Sequence, residues 1–410
     1  MRVLLINAIY GSKSSGKSLA EIKQTLEKDG NTVFVATPNY IEGKSYYRIG
    51  NKYDHKLHAF LSRALGLQAY FSCISTYRLL KHIEKIKPDV IHIQVIHGNF
   101  INFGMFMKFI SKKNIPTVFV LDDCWYFTGK CCHYTADKCY KWKTGCHNCV
   151  RKKADNESWF FDFSKKMYAD KKRYFGALKN YAVVAVSDWL KNEAEQSYLK
   201  SANVLTRIYN SIDTEVFKPS DNASELKQQM NLQDCKVILG VATVWKDTAK
   251  LSKGIDLFIE LAAMLPDDYK IILIGKMDPE IKLPDNIISI DFVEGQEKLA
   301  QYYSMADVFV QMSSEETFGK VTAEALCCGT PVIVFDSTAN PELVGEGCGY
   351  VVENKNTEQV YEKIIEIINN GKQSYSMKCR DFAVQNFKST NNTNLYIDLY
   401  KKLINQSEEP

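Results

Sequence analysis

The chain has 410 residues, enough for two or three domains that each bury a core. Apolar residues make up 45% and charged residues 24%, which excludes disorder, collagen-like repeats and coiled coil. Net charge is +4, yet residues 130–200 alone hold 15 Lys/Arg against 8 Asp/Glu. Such a local surplus suits an anionic membrane face, an acidic substrate or nucleic acid, and equally a solvated basic face without a partner.

The chain begins with a buried-strand run, Val3 to Ile6, then a Gly/Ser-rich loop from Gly11 to Gly16 and an amphipathic helix from Ser18 to Lys28. Gly30 and a second strand, Thr32 to Ala36, complete a β-loop-α-β opening, the mark of a parallel sheet covered by helices. Gly11 to Ser18 (GSKSSGKS) matches the G-x-x-x-x-G-K-[ST] phosphate loop, and Val118 to Asp123 (VFVLDD) offers an acidic strand for Mg²⁺. One reading of the chain is therefore a nucleoside triphosphatase that uses Lys17. It leaves everything after about residue 210 without a task.

Further strands are expected at Val90 to Val95, Thr117 to Leu121 and Ala182 to Val186, each ending in small or polar residues where open α/β sheets place ligands. His92 and His97 flank the first of these ends, where a histidine can be satisfied within the core. Six of the 12 cysteines crowd into 124–149: Cys124, Cys131, Cys132, Cys139, Cys146 and Cys149. No apolar run reaches the ~20 residues of a membrane span, and Met1-Arg2 leads straight into VLLIN without a signal-peptide pattern. A cytoplasmic chain is expected, so the clustered thiols read as free, as disulfide staples or as a structural zinc site. The zinc set would be Cys131 or Cys132 with Cys139, Cys146 and Cys149. Trp159 to Phe175 puts aromatics at helical spacing with lysines between them, as a membrane-surface helix or one that packs its rings inward.

After Asn210 the pattern breaks, and the polar stretch 220–235 reads as a linker. A second unit restarts with a strand from Lys236 to Ala242, a helix from Ile255 to Leu265 and a strand from Tyr269 to Ile274. Strands at Asp307 to Gln311 and Pro331 to Phe335 flank a helix from Val321 to Cys328. Two α/β domains are expected, 1–210 and 211–390, facing a cleft. In Ser313 to Ile333 (SSEETFGKVTAEALCCGTPVI), Glu316 and Glu324 are eight apart and straddle a helix start. The free N–H groups at Phe318, Gly319 and Lys320 suit a diphosphate, Glu324 a pair of vicinal hydroxyls, and Glu316 the hydroxyls of a transferred sugar.

These residues resemble the retaining glycosyltransferases of family 4, which have the GT-B fold, two Rossmann-like domains with parallel sheets facing across a cleft. The resemblance rests on E-x7-E at Glu316 and Glu324, on ALCCGTPVI, on YNSIDTEVFKP at 209–219, and on Lys253-Gly254. The block 122–149 (DDCWYFTGKCCHYTADKCYKWKTGCHNC) is similar to a subgroup that builds surface polysaccharides. The resemblance implies that the second domain holds a UDP- or GDP-sugar through Lys253, Glu316, Glu324 and the segment Phe318, Gly319, Lys320, Val321. It also implies that the first domain presents Gly16 to the donor, and Lys17 and His97 to a glycan or polyprenyl-linked acceptor, and that a final helix within 391–410 returns to that domain. Asp122 stands where the family has a histidine near the donor sugar, and is carried over as a catalytic residue. Thr243 stands where the family has an arginine, leaving Lys246 or Lys250 to supply that charge. No essential metal or other cofactor and no nucleic acid is expected, and peripheral contact with the inner face of a membrane is. These two substitutions also fit a catalytically silent GT-B binding protein.

Overall fold

The computed structural model describes residues 1–246 and 253–408, and the chain divides into two compact units, Met1–Tyr209 with Thr390–Pro410, and Asn210–Ser389. Lys250 lies outside the described residues.

Unit 1 runs β1 (Arg2–Ile6), α1 (Lys13–Lys28), β2 (Thr32–Thr37), β3 (Tyr46–Arg48), α2 (Lys52–Leu65), α3 (Cys73–Ile86), β4 (Val90–Ile93), α4 (Phe103–Lys113), β5 (Thr117–Leu121), α5 (Ser164–Gly176), β6 (Tyr181–Ala185), α6 (Asp188–Glu195) and β7 (Val204–Arg207). All its strands are parallel, in the order β3-β2-β1-β4-β5-β6-β7. The central strands are uninterrupted apolar runs because helices cover both faces, and β4, β5 and β6 are buried at every residue.

Unit 2 runs α7 (Ala223–Gln229), β8 (Lys236–Trp245), α8 (Ile255–Met264), β9 (Tyr269–Met277), β10 (Ile287–Ile290), α9 (Gln296–Met305), β11 (Val308–Gln311), α10 (Lys320–Cys327), β12 (Val332–Phe335), β13 (Gly349–Val352), α11 (Thr357–Asn370) and α12 (Gln373–Phe387). Its six parallel strands follow the order β10-β9-β8-β11-β12-β13. In both sheets the order reverses beside the first strand, between β1 and β4 and between β8 and β11. Open α/β sheets bind ligands beyond the strand ends at such a switch point. The last helix, α13 (Ser389–Glu408), packs on unit 1. There Tyr400 bonds His92 Nδ1 (2.6 Å), and the Leu403 carbonyl accepts from Asn180 Nδ2 (2.8 Å).

Three expectations are corrected. Helix α1 begins at Lys13, so Gly16, Lys17 and Ser18 lie inside it and only Gly11 and Ser12 remain in the loop. A phosphate loop needs the backbone of all six residues from glycine to glycine to wrap an anion; a helix that begins at Lys13 removes that cradle. Gly16 instead lets α1 approach Ile9, where a Cβ would meet the side chain at 3.0 Å and the backbone at 3.2 Å. The stretch 220–235 is no linker: it carries α7, buries Leu226 and Leu232, and pairs Lys227 with Asp307 at 3.6 Å. Residues 159–163 are not helical; the Trp159 N–H donates to the Arg63 carbonyl (2.7 Å), and α5 starts only at Ser164.

Two core histidines give unit 1 a pH dependence. Burial pushes His92 down to about 3 and His58, which bonds Ser72, down to about 4. With folded values depressed, the unfolded chain takes up protons first, so stability is full above pH ~6.5 and falls as pH drops below it. Each histidine costs up to ~1.4 kcal/mol per pH unit once the unfolded ring is fully protonated, about 3 kcal/mol for the pair between pH 6.5 and 5. Urea midpoints measured over that range should fall steadily, and the double variant His58→Asn, His92→Asn should flatten the slope whatever its midpoint.

Candidate active site

In unit 2 the site is built at the β8/β11 switch point. Gly254, in the left-handed region at φ +81°, caps α8, and a Cβ there would sit 2.4 Å from Met312 Cβ and 2.6 Å from its carbonyl oxygen. Only glycine fits that approach, and it sets Lys253 against the segment after β11. Lys253 Nζ lies 2.5 Å from Glu316 Oε1, which also accepts from Gln311 Nε2 (3.0 Å), with Ser313 Oγ 3.5 Å from the ammonium. Glu316 is fixed through its backbone as well: its N–H donates to Thr338 Oγ1 (2.9 Å), and its carbonyl accepts from Ala339 (3.2 Å). A cation, a carboxylate and an amide thus converge at the end of one strand.

Gly319, at φ +88°, stands at the N-cap of α10, and its carbonyl accepts from the N–H groups of Thr322 (3.0 Å) and Ala323 (3.2 Å). Glu324 lies one turn into α10, 8% exposed, and accepts from the Tyr303 hydroxyl (3.0 Å). Burial and then the Glu324 charge push the Tyr303 phenol well up, so it stays a donor. Phe318 points the other way. Its ring is buried edge-on against Phe387 at 5.5 Å, so only its main chain is offered to a ligand. Lys320 and Val321 are half-buried, and Thr243 and Lys246 are exposed, beyond a bulge in β8.

In unit 1 the chemistry gathers at the ends of β4 and β5. His97 Nε2 lies 2.9 Å from Asp123 Oδ2, while Asp123 Oδ1 accepts from the Trp125 N–H (2.8 Å). Burial pushes the Asp123 carboxyl up, but His97 and the Trp125 N–H outweigh it and hold it at about 2. The Trp125 ring lies 5.4 Å from that of His97 at a 35° tilt, and its indole N–H donates to Gln68 Oε1 (2.7 Å). Gln68 in turn donates to the His97 carbonyl (2.7 Å). Beneath the indole, 3.5 Å from its ring centre, the buried Lys171 donates to the carbonyls of Trp125 (2.5 Å) and Thr128 (3.1 Å). Burial brings that ammonium down to about 7.

Sequence reasoning selected Asp122, but the structure gives the partnership with His97 to its neighbour. Asp122 is half-buried, and its charge adds to burial in raising the phenols of Tyr126 and Tyr396. Lys17 is half-buried and Gly16 buried, both within α1, where the Gly16 carbonyl accepts from the N–H of Gly11 in the preceding loop (2.9 Å). Among the described residues no two cysteines are joined in a disulfide. Cys131, Cys139, Cys146 and Cys149 do not form the expected cage: among the described residues, the only three metal-ligating side chains drawn within 4.8 Å of one another are His97, Asp123 and Cys132. Cys146 Sγ accepts from the Gly129 N–H (3.2 Å), and burial pushes Cys131 up to about 12 and Cys146 up to about 11. Gln311, Tyr303, Thr338, Gln68 and Lys171 carry no motif, and only the tertiary fold reveals them.

Residues 15–216 match the domain described as Glycosyltransferase Family 4, and residues 245–383 match Glycosyl transferases group 1. The N-acetyl-alpha-D-glucosaminyl L-malate synthase of Bacillus anthracis is 26% identical over 55% of this chain and 61% of its own length, so the chain matches less than two thirds of that relative. The alpha-monoglucosyldiacylglycerol synthase of Acholeplasma laidlawii is 23% identical over 98% of each chain. Among solved structures, HepE of Anabaena in complex with UDP-glucose superposes with a TM-score of 0.65 at 15% identity, over 98% of this chain and all of that one. At that identity the likeness is one of fold.

Proposed function

Because the chain belongs to the family 4 glycosyltransferases with the GT-B fold, we propose that it moves a hexosyl group from a nucleoside-diphosphate sugar to a glycan or polyprenyl-linked acceptor with retention of configuration. The observation that carries this reading is the convergence of Lys253, Glu316 and Gln311 beyond β11, beside the capped start of α10. Lys253 and the first N–H groups of α10 meet the donor diphosphate, where preorganised donors stabilise the charge that develops on the leaving group. Glu324 accepts from the ribose hydroxyls and Glu316 from those of the sugar. As the bond from the anomeric carbon to the phosphate oxygen breaks, the acceptor hydroxyl bonds that carbon on the same face, and its proton passes to the departing phosphate. This reading needs no metal, since the lysine and the helix terminus carry the positive charge.

On unit 1, His97 is offered to an acceptor hydroxyl, its ring oriented by Asp123 and Trp125. The resemblance of 122–149 to surface-polysaccharide enzymes supports that class of product. A membrane-borne acceptor is supported by the exposed rings of Phe160, Phe161 and Phe163, braced by Lys152 and Lys153, which donate to the carbonyls of Phe160 (2.8 Å) and Trp159 (3.0 Å). Among the described residues no helix is long and apolar enough to cross a membrane.

A thermal-shift screen against UDP, GDP, ADP, their sugar conjugates and ATP-Mg²⁺ tests the donor site. A ligand at 100 times its Kd stabilises by ~2.7 kcal/mol, roughly 5–10 °C for a domain of this size. The expected result is a shift with one nucleoside-diphosphate family that Glu324→Ala removes. A shift with ATP-Mg²⁺ alone, untouched by Glu324→Ala, contradicts the proposal.

A further inference from the structure

The geometry points to a three-ligand site for a zinc-like divalent cation in unit 1, formed by His97 Nε2, Asp123 Oδ2 and Cys132 Sγ. It shares His97 with the acceptor contact proposed above and uses none of the unit 2 residues assigned to the donor, so binding of the ion is read separately from transfer. The three ligand atoms lie within 4.8 Å of one another, with 2.9 Å between nitrogen and oxygen and 3.9 Å between nitrogen and sulfur. Bonds of about 2.0–2.3 Å at tetrahedral angles put ligand atoms about 3.3–3.6 Å apart. The two measured distances straddle that range, so shifts of about half an ångström centre an ion between them.

The surroundings hold each ligand as a metal site requires. Asp123 is pinned through its other oxygen by the Trp125 N–H, and the His97 ring lies beside the Trp125 indole, tilted by 35° to it. The Cys132 carbonyl accepts from the Cys124 N–H (2.9 Å), its own N–H donates to Asp155 (3.2 Å), and the Asn156 amide is directed at its sulfur (3.6 Å). Asp155 is itself paired with Arg151, so it does not compete for the ion.

Donor chemistry selects the ion. One imidazole, one carboxylate and one thiolate suit zinc and its neighbours rather than magnesium or calcium, which take oxygen ligands. Binding releases the Cys132 thiol proton to solvent, and His97 ligates as the neutral ring with its proton on Nδ1. A dication with one carboxylate and one thiolate makes a cluster of zero net charge, which lowers the cost of its half-burial. Three protein ligands are the count at which water or a substrate oxygen completes the tetrahedron. The site lies beyond β4 and β5, where such an oxygen arrives in this kind of sheet.

Titration of the chelator-stripped full chain with Co²⁺, followed by Zn²⁺ competition, tests the site. The expected result is one equivalent bound, with a thiolate-to-cobalt charge-transfer band that Zn²⁺ bleaches. Cys132→Ser abolishes the band and His97→Asn weakens binding at least tenfold, while Cys131→Ser and Cys146→Ser retain it. On the unsubstituted chain, which removes any question of folding, Zn²⁺ slows alkylation of Cys132 more than that of Cys149. Absence of the band, its survival in Cys132→Ser, its loss in Cys146→Ser, or unprotected Cys132 overturns the assignment.

Discussion

Lys253→Met is expected to lower kcat by roughly 10²–10³-fold, the loss that follows removal of one preorganised donor from a developing anion. The loss should fall mainly on kcat, because charge on the diphosphate grows as the sugar bond breaks and the ammonium is worth most at that moment. The substitution keeps the stem that packs beside Gly254 and removes only the charge, which sits 2.5 Å from Glu316. It also leaves Glu316 facing Gln311 alone, so some rise in KM through the sugar hydroxyls accompanies it. Initial rates with a saturating nucleotide sugar measure this directly. A variant with unchanged kcat would remove Lys253 from the reaction.

The second large effect is structural and reaches the same residue. Gly254→Ala places a methyl 2.4 Å from Met312 Cβ and 2.6 Å from the Met312 carbonyl oxygen, in a backbone conformation at φ +81° that alanine tolerates poorly. Strain and overpacking together should cost about 2–4 kcal/mol, which for unit 2 is a fall in Tm of roughly 5–10 °C. Because Met312 immediately precedes Ser313, the displacement should also move Lys253 away from Glu316 and depress activity in the folded fraction. Gly30→Ala is the control: φ is +78° there, but nothing lies within 4 Å of the added carbon, so only the backbone term of about 1 kcal/mol remains. Equal losses in the two variants would show that the packing against Met312 carries no weight.

Much of this was legible in the sequence because central parallel strands are continuous apolar runs. Thr117–Leu121 is read residue for residue, and the other central strands differ only at their ends. The extensions of β8 to Trp245 and β9 to Met277 were hidden by polar residues such as Thr243 and Lys276, which sit where the pair leaves the covered part of the sheet. Helix α7 was missed because ASELKQQ buries one leucine and looks like solvated chain; what holds it is Leu226 with the Lys227–Asp307 pair. The glycine-rich loop was overextended because glycine and serine mark loops in isolation, whereas Gly16 serves a close approach to Ile9.

In the site, residues within motifs were found and residues that meet them through space were not. Glu316, Glu324 and Lys253 come from local patterns. Gln311 and Tyr303 acquire their parts by facing those carboxylates from β11 and α9. Asp122 and Asp123 are chemically identical in sequence, and only the alternation at the end of β5 turns one toward His97 and the other toward Tyr396. The same holds for Cys131 and Cys132: the spacing offered either one, and only the fold sets Cys132 next to His97.

The central claim is that unit 2, and not the helix around Lys17, holds the nucleotide. Calorimetric titration with the nucleoside diphosphate that gives the largest thermal shift tests it most directly, on the unsubstituted chain and on Lys253→Met, Glu324→Ala and Lys17→Ala. Binding should weaken at least tenfold in the first two variants and remain unchanged in Lys17→Ala. Binding that survives Lys253→Met and Glu324→Ala but disappears with Lys17→Ala would contradict the account.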